Sequence, residues 1–141
     1  MNMISQLHRT LDSGSFAVTA ELTLPDSSEK DELVETALKL SPYCDALNVT
    51  DATSAIPHFS SLAAAYILLD NEIEPVMQIS ARDRNRIAIQ GDVLGAHSLG
   101  IRNIFCITGD GVTAGDHPEA KPVFDLDSIS MLAAINNMEK T

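Results

Sequence analysis

PVMQISARDRNRIAIQGDVLGAHSLGIRNIFCIT, residues 75–108, decides the architecture of this 141-residue chain. Its first six residues, PVMQIS, read as a strand. A helical run beginning near Arg84 follows, with Ile89, Val93 and Ala96 at i, i+4 and i+7. Gly100 stands where a helix takes its C′ glycine. NIFCIT, residues 103–108, then reads as a second strand. Strand, helix and strand in about 30 residues is the length of a β-strand with its crossover helix.

The same unit recurs on both sides. Upstream, FAVTAEL (16–22) reads as a strand ended by Pro25, and Ser28 with Asp31 marks a helix start. Leu33, Val34, Ala37, Leu38 and Leu40 give that helix an apolar stripe, and Pro42 stops it. ALNVT (46–50) is the next strand. Ser60 or Ser61 caps a helix through Leu69, with Leu62, Ala65, Tyr66 and Leu69 on one face. Downstream, a polar loop over 109–122 leads to a last helix capped by Asp125 or Asp127. That helix carries Ile129, Leu132, Ala133 and Ile135.

Alternating β and α units imply a parallel sheet covered by helices. The pattern leaves two closures open. One is a β/α barrel, which takes about 250 residues for eight units. The other is an open doubly wound sheet, which a chain of this length could complete. Residues 1–141 read as a single domain in either case.

Composition narrows the function classes. Nine basic and 20 acidic residues give a net charge of −11, aromatics are 4% and Trp is absent. Such a chain repels phosphate backbones and anionic lipid and offers little for bases to stack on. The one basic cluster, Arg82, Arg84 and Arg86, is interrupted by Asp83, so no nucleic-acid partner is expected. No apolar stretch approaches 18 residues and no signal peptide is evident, so neither a membrane span nor secretion is expected. The expected compartment is the cytoplasm, with Cys44 and Cys106 as buried free thiols.

In both closures, ligands bind beyond the C-terminal ends of the strands. Each strand here ends in chemically able residues: Glu21 on the first, and Thr50 and Asp51 on the second. The third delivers Gln78 and Ser80 followed by Arg82 and Asp83, and the fourth Thr108 and Asp110. Taken singly, Asp51 and Asp110 could be caps after strands, and Arg82 with Asp83 could pair on a solvated rim. Glu21, between Ala20 and Leu22, reads as a desolvated carboxyl suited to general acid work. The run Gly109-x-Gly111-x-x-Ala114 follows a strand, but Asp116, His117 and Pro118 follow it where a dinucleotide fingerprint needs a helix. The four histidines have no metal-ligand spacing, so no metal is expected.

At these strand ends the chain resembles the methylenetetrahydrofolate reductase family of flavin-dependent (β/α)8 barrels. The matching stretches are VTAELTLP (18–25), LNVTDA (47–52), PVMQISARDRNR (75–86), GDVLGAHSLGIRNIFCITGD (91–110) and HPEAKPVFDLDSI (117–129). The resemblance implies FAD as cofactor and methylenetetrahydrofolate as substrate, with NADH or NADPH as donor. By position, Glu21 is similar to the family's general acid. Thr50, Gln78, Thr108 and Asp110 fall at flavin contacts, and Asp110 also beside the folate pterin. Gln78 stands where better-known bacterial members carry a histidine.

The resemblance also implies that the chain is the N-terminal half of a TIM barrel, four strand–helix units of eight. Two unpaired strand edges and an apolar inner face are then expected to drive homo-oligomerisation or pairing with a complementary C-terminal half. The rival expectation is a non-catalytic α/β ligand-binding or assembly module.

Overall fold

A computed structural model describes residues 4–138. Its elements are α1 (Gln6–Asp12), β1 (Thr19–Leu22), α2 (Lys30–Leu40), β2 (Ala46–Val49) and α3 (Ser61–Asp70). β3 (Pro75–Ser80), α4 (Arg86–Ser98), β4 (Asn103–Ile107) and α5 (Ser128–Met138) complete them. The strands form one parallel sheet in the order β1-β2-β3-β4. A doubly wound sheet reverses its order at a switch point. This sheet does not, which sets that alternative aside. Parallel neighbours joined by crossovers of one hand place the helices that follow the strands, α2 to α5, on one side. In that layer α2 packs on α3, α3 on α4 and α4 on α5. Four successive units of a β/α barrel have this order and this one-sided layer.

Local chemistry fixes the helix ends. Asn85 caps α4, its side chain accepting from the Ile87 and Ala88 amides at 3.1 Å each. At the other end Gly100 takes a φ of 95°, with Gly100 N–H donating to His97 O and Ile101 N–H to Ala96 O. That pair of bonds is a Schellman motif. Of the two aspartates expected to cap α5, Asp127 does so. It accepts from Ser130 N–H at 2.8 Å while Ser130 Oγ accepts from Asp127 N–H at 2.9 Å. Hydrogen bonds from Ser130 hold the Asp127 carboxyl below its ordinary range.

Three details depart from the sequence reading. β1 begins at Thr19, not at residue 16, and Phe16 is 92% exposed. Asp45 explains this: its carboxylate accepts from Val18 N–H at 2.8 Å and its own N–H donates to Val18 O at 2.7 Å. Those bonds terminate the ladder one residue before β1. The segment before it forms α1, a helix of 7 residues with no buried side chain, too short to show a stripe. Ser5 at its start donates to Asn103 Oδ1 and Thr10 to Asp45 Oδ1, so α1 lies across the N-terminal ends of the strands. Finally, α5 buries Met131, with Ile135 and Met138 packed on the core, and leaves Ile129 76% and Leu132 56% exposed. Positions 131, 135 and 138 share one helix face, and that face meets the core.

The helix-facing side of the sheet is sealed by Leu22, Leu47, Val49, Met77, Ile79 and Cys106. No helix among the described residues is long and apolar enough to cross a membrane.

Candidate active site at the strand ends

Alternation along a strand decides which side each residue serves. Glu21 lies opposite Asn48, Asn48 opposite Val76, and Val76 opposite Asn103, so one row of the sheet carries all four on the side away from the helices. Two residues further along, Gln78 lies opposite Phe105 on the same side. Glu21 is exposed, which corrects the desolvation expected of it. Ala20 and Leu22 flank it in sequence but turn toward the helices, so they shield nothing on its own face. Phe105 is half exposed, and Gln78 and Val76 are buried among their neighbours.

Thr50 is buried at the end of β2 and stitches it to β1. Its Oγ1 donates to Leu22 O and accepts from Leu24 N–H, both at 3.3 Å. Asp51 is 7% exposed. Its Oδ2 accepts from Ser80 N–H at 2.8 Å and from Arg84 Nη1 at 2.6 Å. Arg84 also donates from Nε to Asp92 at 2.9 Å. Burial pulls the Arg84 guanidinium down more than any other single influence, yet Asp51 and Asp92 together hold it above its ordinary value. The pair is a bracket between β2 and β3, and the sequence gives only a faint sign of it: an acid and a base at the ends of adjacent strands.

Arg82 is 3% exposed, which corrects the solvated-rim reading of this residue. It does pair with Asp83, donating from Nε at 2.8 Å and Nη2 at 2.6 Å. Nη2 also reaches Ala52 O at 3.2 Å and Nη1 reaches Asp110 O at 3.4 Å. Asp110 is exposed past the end of β4, and its Oδ2 accepts from Ser54 N–H at 3.2 Å. Thr108 Oγ1 accepts from Ser128 N–H at 3.1 Å, tying β4 to the start of α5. Arg86, further out, makes a two-pronged bond to Asp125, whose carboxyl the arginine holds down at about 2.

The backbone around these residues is tightly specified. Ala52, Ser54 and Ala55 have φ of 47°, 57° and 57°, and Gly109 has 93°. Left-handed non-glycine residues are sparse and cluster at functional sites. A Cβ on Gly109 would collide with the Ser80 hydroxyl, and one on Gly115 with the Ala55 carbonyl. The turns after β2 and β4 therefore meet over the end of β3. A cavity of about 210 Å³ lies between them, lined by Ile56, Pro57, Arg82, Asp83, Val112 and His117 among others. The turn Val112–Ala114 is a single 3-10 turn, and α5 starts only at Ser128, so no helix follows the glycines of residues 109–111.

Among the described residues no group of three or more His, Cys, Asp or Glu comes together as a metal site. Burial pushes both thiols, Cys44 and Cys106, above their ordinary range, which makes poor nucleophiles of them. Cys44 is half-buried where full burial was expected, and Cys106 is buried.

A singly wound parallel sheet with polar residues gathered at its C-terminal rim is the arrangement of the β/α barrel class, whose ligands bind at that rim. Residues 6–139 match the family model described as methylenetetrahydrofolate reductase, and the chain belongs to that family. No curated protein matches it closely enough to count as a relative. The family's name denotes the reduction of a folate-bound one-carbon unit, an oxidoreductase class.

A flavin needs an apolar floor with polar groups at the ring edge, and cations at its diphosphate. Phe105 and Ile107, with Gln78 beside them and Asp110 beyond the strand end, fit the ring. The three rim arginines do not offer the second requirement, since Arg82, Arg84 and Arg86 are each bonded to an aspartate.

Proposed function

We propose that this chain carries the ring-side part of the site of a flavin-dependent methylenetetrahydrofolate reductase. In this reading FAD bound there would supply a relay for hydride from NADH or NADPH to the folate. Glu21 donates a proton to the folate nitrogen as the methylene bridge opens to an iminium. Asp110 places a negative charge beside that cation, a Coulomb attraction that strengthens wherever water is excluded. Gln78, Thr50 and Thr108 hold the ring edge and the strand ends around it. The observation that carries the reading is the family match across residues 6–139. The placement of Glu21 and Gln78 on one open face supports it.

Because Arg82, Arg84 and Arg86 are each paired to an aspartate, the diphosphate arm would draw its cations from elsewhere. A complementary C-terminal half or a second copy of the chain would supply them while covering the exposed edges of β1 and β4. The setting is the cytoplasm. A non-catalytic α/β module is the second reading, favoured by the exposure of Glu21.

An absorbance titration of the purified chain with FAD comes first. A shift of the flavin bands, bleached by NADH or NADPH and restored by methylenetetrahydrofolate, is expected once the site is complete. Glu21→Gln should keep the bands and the bleaching and lose the restoration. Full turnover by that variant would remove Glu21 from the mechanism. Size-exclusion chromatography tests the partnership: a sharp monomer peak with cooperative unfolding and flavin bound would refute it.

A further inference from the structure

Arg82 makes more contacts than a counter-ion for Asp83 requires. Its guanidinium is buried at the end of β3 and donates to the side chain of Asp83 and to main-chain oxygens of two other segments, Ala52 and Asp110. Its own backbone is used as well. Arg82 N–H donates to Ser80 Oγ at 3.3 Å, and its carbonyl accepts from Val123 N–H at 2.7 Å. One residue thereby touches the turn after β2, the turn after β4 and the later part of the β4–α5 loop.

These contacts close a ring. Arg82 holds the carbonyl of Ala52; two residues on, Ser54 N–H donates to the carboxylate of Asp110; and the carbonyl of Asp110 returns to Arg82. Within that ring lie Ala52 and Ser54, whose left-handed backbones are strained for residues with a side chain and persist only where the surroundings enforce them. The Asp110 carboxylate is exposed and, among the described residues, no cation is bonded to it; the Ser54 amide donates to its Oδ2 and sets its direction. A planar guanidinium can serve three acceptors in fixed directions, whereas an ammonium is a point charge on a flexible stem.

We propose that Arg82 is a positioning residue that aims the Asp110 carboxylate by pinning the turns after β2 and β4 against each other. The proposal rests on the reading of Asp110 as a site residue only for its consequence, not for its geometry. The carbonyl contacts carry the force: without them the 52–55 turn relaxes toward right-handed backbone and withdraws the Ser54 amide from Asp110.

The test compares Arg82→Lys with Arg86→Lys in the full chain, by amide hydrogen exchange and by FAD titration. Arg82→Lys should speed exchange at Ser54 about tenfold, the loss of roughly one hydrogen bond's stabilisation. The Ser80 amide, held by Asp51, should be unchanged, and Arg86→Lys should move neither. A cycle with Asp110→Ala sharpens this: each single variant should weaken FAD binding, and the double variant no further than Asp110→Ala alone. Equal acceleration at Ser54 and Ser80 would mean general loosening and would overturn the proposal, as would unchanged Ser54 exchange. Should Arg82→Lys not fold, Asp83→Asn loosens the same guanidinium and should accelerate Ser54 in the same sense; no acceleration there would overturn it. If the wild-type chain alone binds no FAD, the site needs its complementary half, and the amide comparison alone decides the role of Arg82.

Discussion

Leu22, Leu47, Val49, Met77 and Ile79 on one face of the sheet are at most 1% exposed, while Phe105 on the other is 50% exposed. Along every strand, neighbouring residues face opposite sides, as buried Cys106 does beside exposed Phe105. What differs is the partner: helices α2 to α5 return to one side only, so burial and stability concentrate there. The other side keeps Glu21 and Phe105 within reach of a ligand or a second protein surface, with Gln78 buried beside Phe105. The teaching is that a carboxyl set in an apolar strand need not be desolvated. Its environment is set by residues two apart and across the sheet, not by its sequence neighbours.

Substitutions can break this contrast, beginning with the largest expected effect. Leu47→Ala empties space in the sealed face and should lower stability by about 2–5 kcal/mol, read as a drop in the urea midpoint at constant m-value. A loss no larger than that of an inner-face truncation would undo the distinction. Gly115→Ala comes next, at about 2–3 kcal/mol, because its Cβ meets the Ala55 carbonyl and the two rim turns must part. Thermal unfolding with intact helical circular dichroism would read it.

Asp51→Asn keeps the shape but leaves Arg84 without its buried anionic partner. A loss of about 2 kcal/mol is expected, discounted because Arg84 still reaches Asp92 and is partly exposed. If Asp51→Asn were neutral, the bracket between β2 and β3 would be ornamental. Phe105→Ala should cost less than about 1 kcal/mol in the isolated chain. The same change should impair ligand binding or association more than folding, and a large stability loss would show that the inner face is already packed.

The smallest effect is the acid one. Asp125 is held at about 2, below its ordinary 3.8, chiefly by the hydrogen bond from Arg86. A depressed carboxylate contributes stability above its unfolded value and loses it as pH falls through the folded one. The tie between the β4–α5 loop and α4 should therefore hold at neutral pH and release between 3.8 and about 2, with salt weakening it. Titration of the Arg86 amide by NMR would follow the release. A midpoint at 3.8 would mean that the bond is not formed in solution.

Much of this was legible in advance. The strand runs, the Gly100 stop of α4 and a cap at Asp127 follow from periodicity and from local hydrogen bonding, which depend on neighbours within about four residues. The rim residues Thr50, Gln78, Thr108 and Asp110 were legible as strand-end positions for the same reason. Less visible were α1, whose seven residues bury nothing, and the rotation of α5, which its packing on the core decides.

By itself the sequence determined that strand and helix alternate, that the sheet is parallel, and that polar residues gather at the strand ends. Its resemblance to methylenetetrahydrofolate reductases in RDRN and its flanking stretches was legible there too. Only the tertiary structure decided strand order, and with it the choice between barrel-type and doubly wound sheets. It also decided which arginine meets which aspartate: Arg84 with Asp51 across 33 residues, Arg86 with Asp125 across 39, and Arg82 with two turns at once. Charge pairing between segments far apart in the chain depends on how crossovers bring strand ends together, and no local pattern encodes that distance.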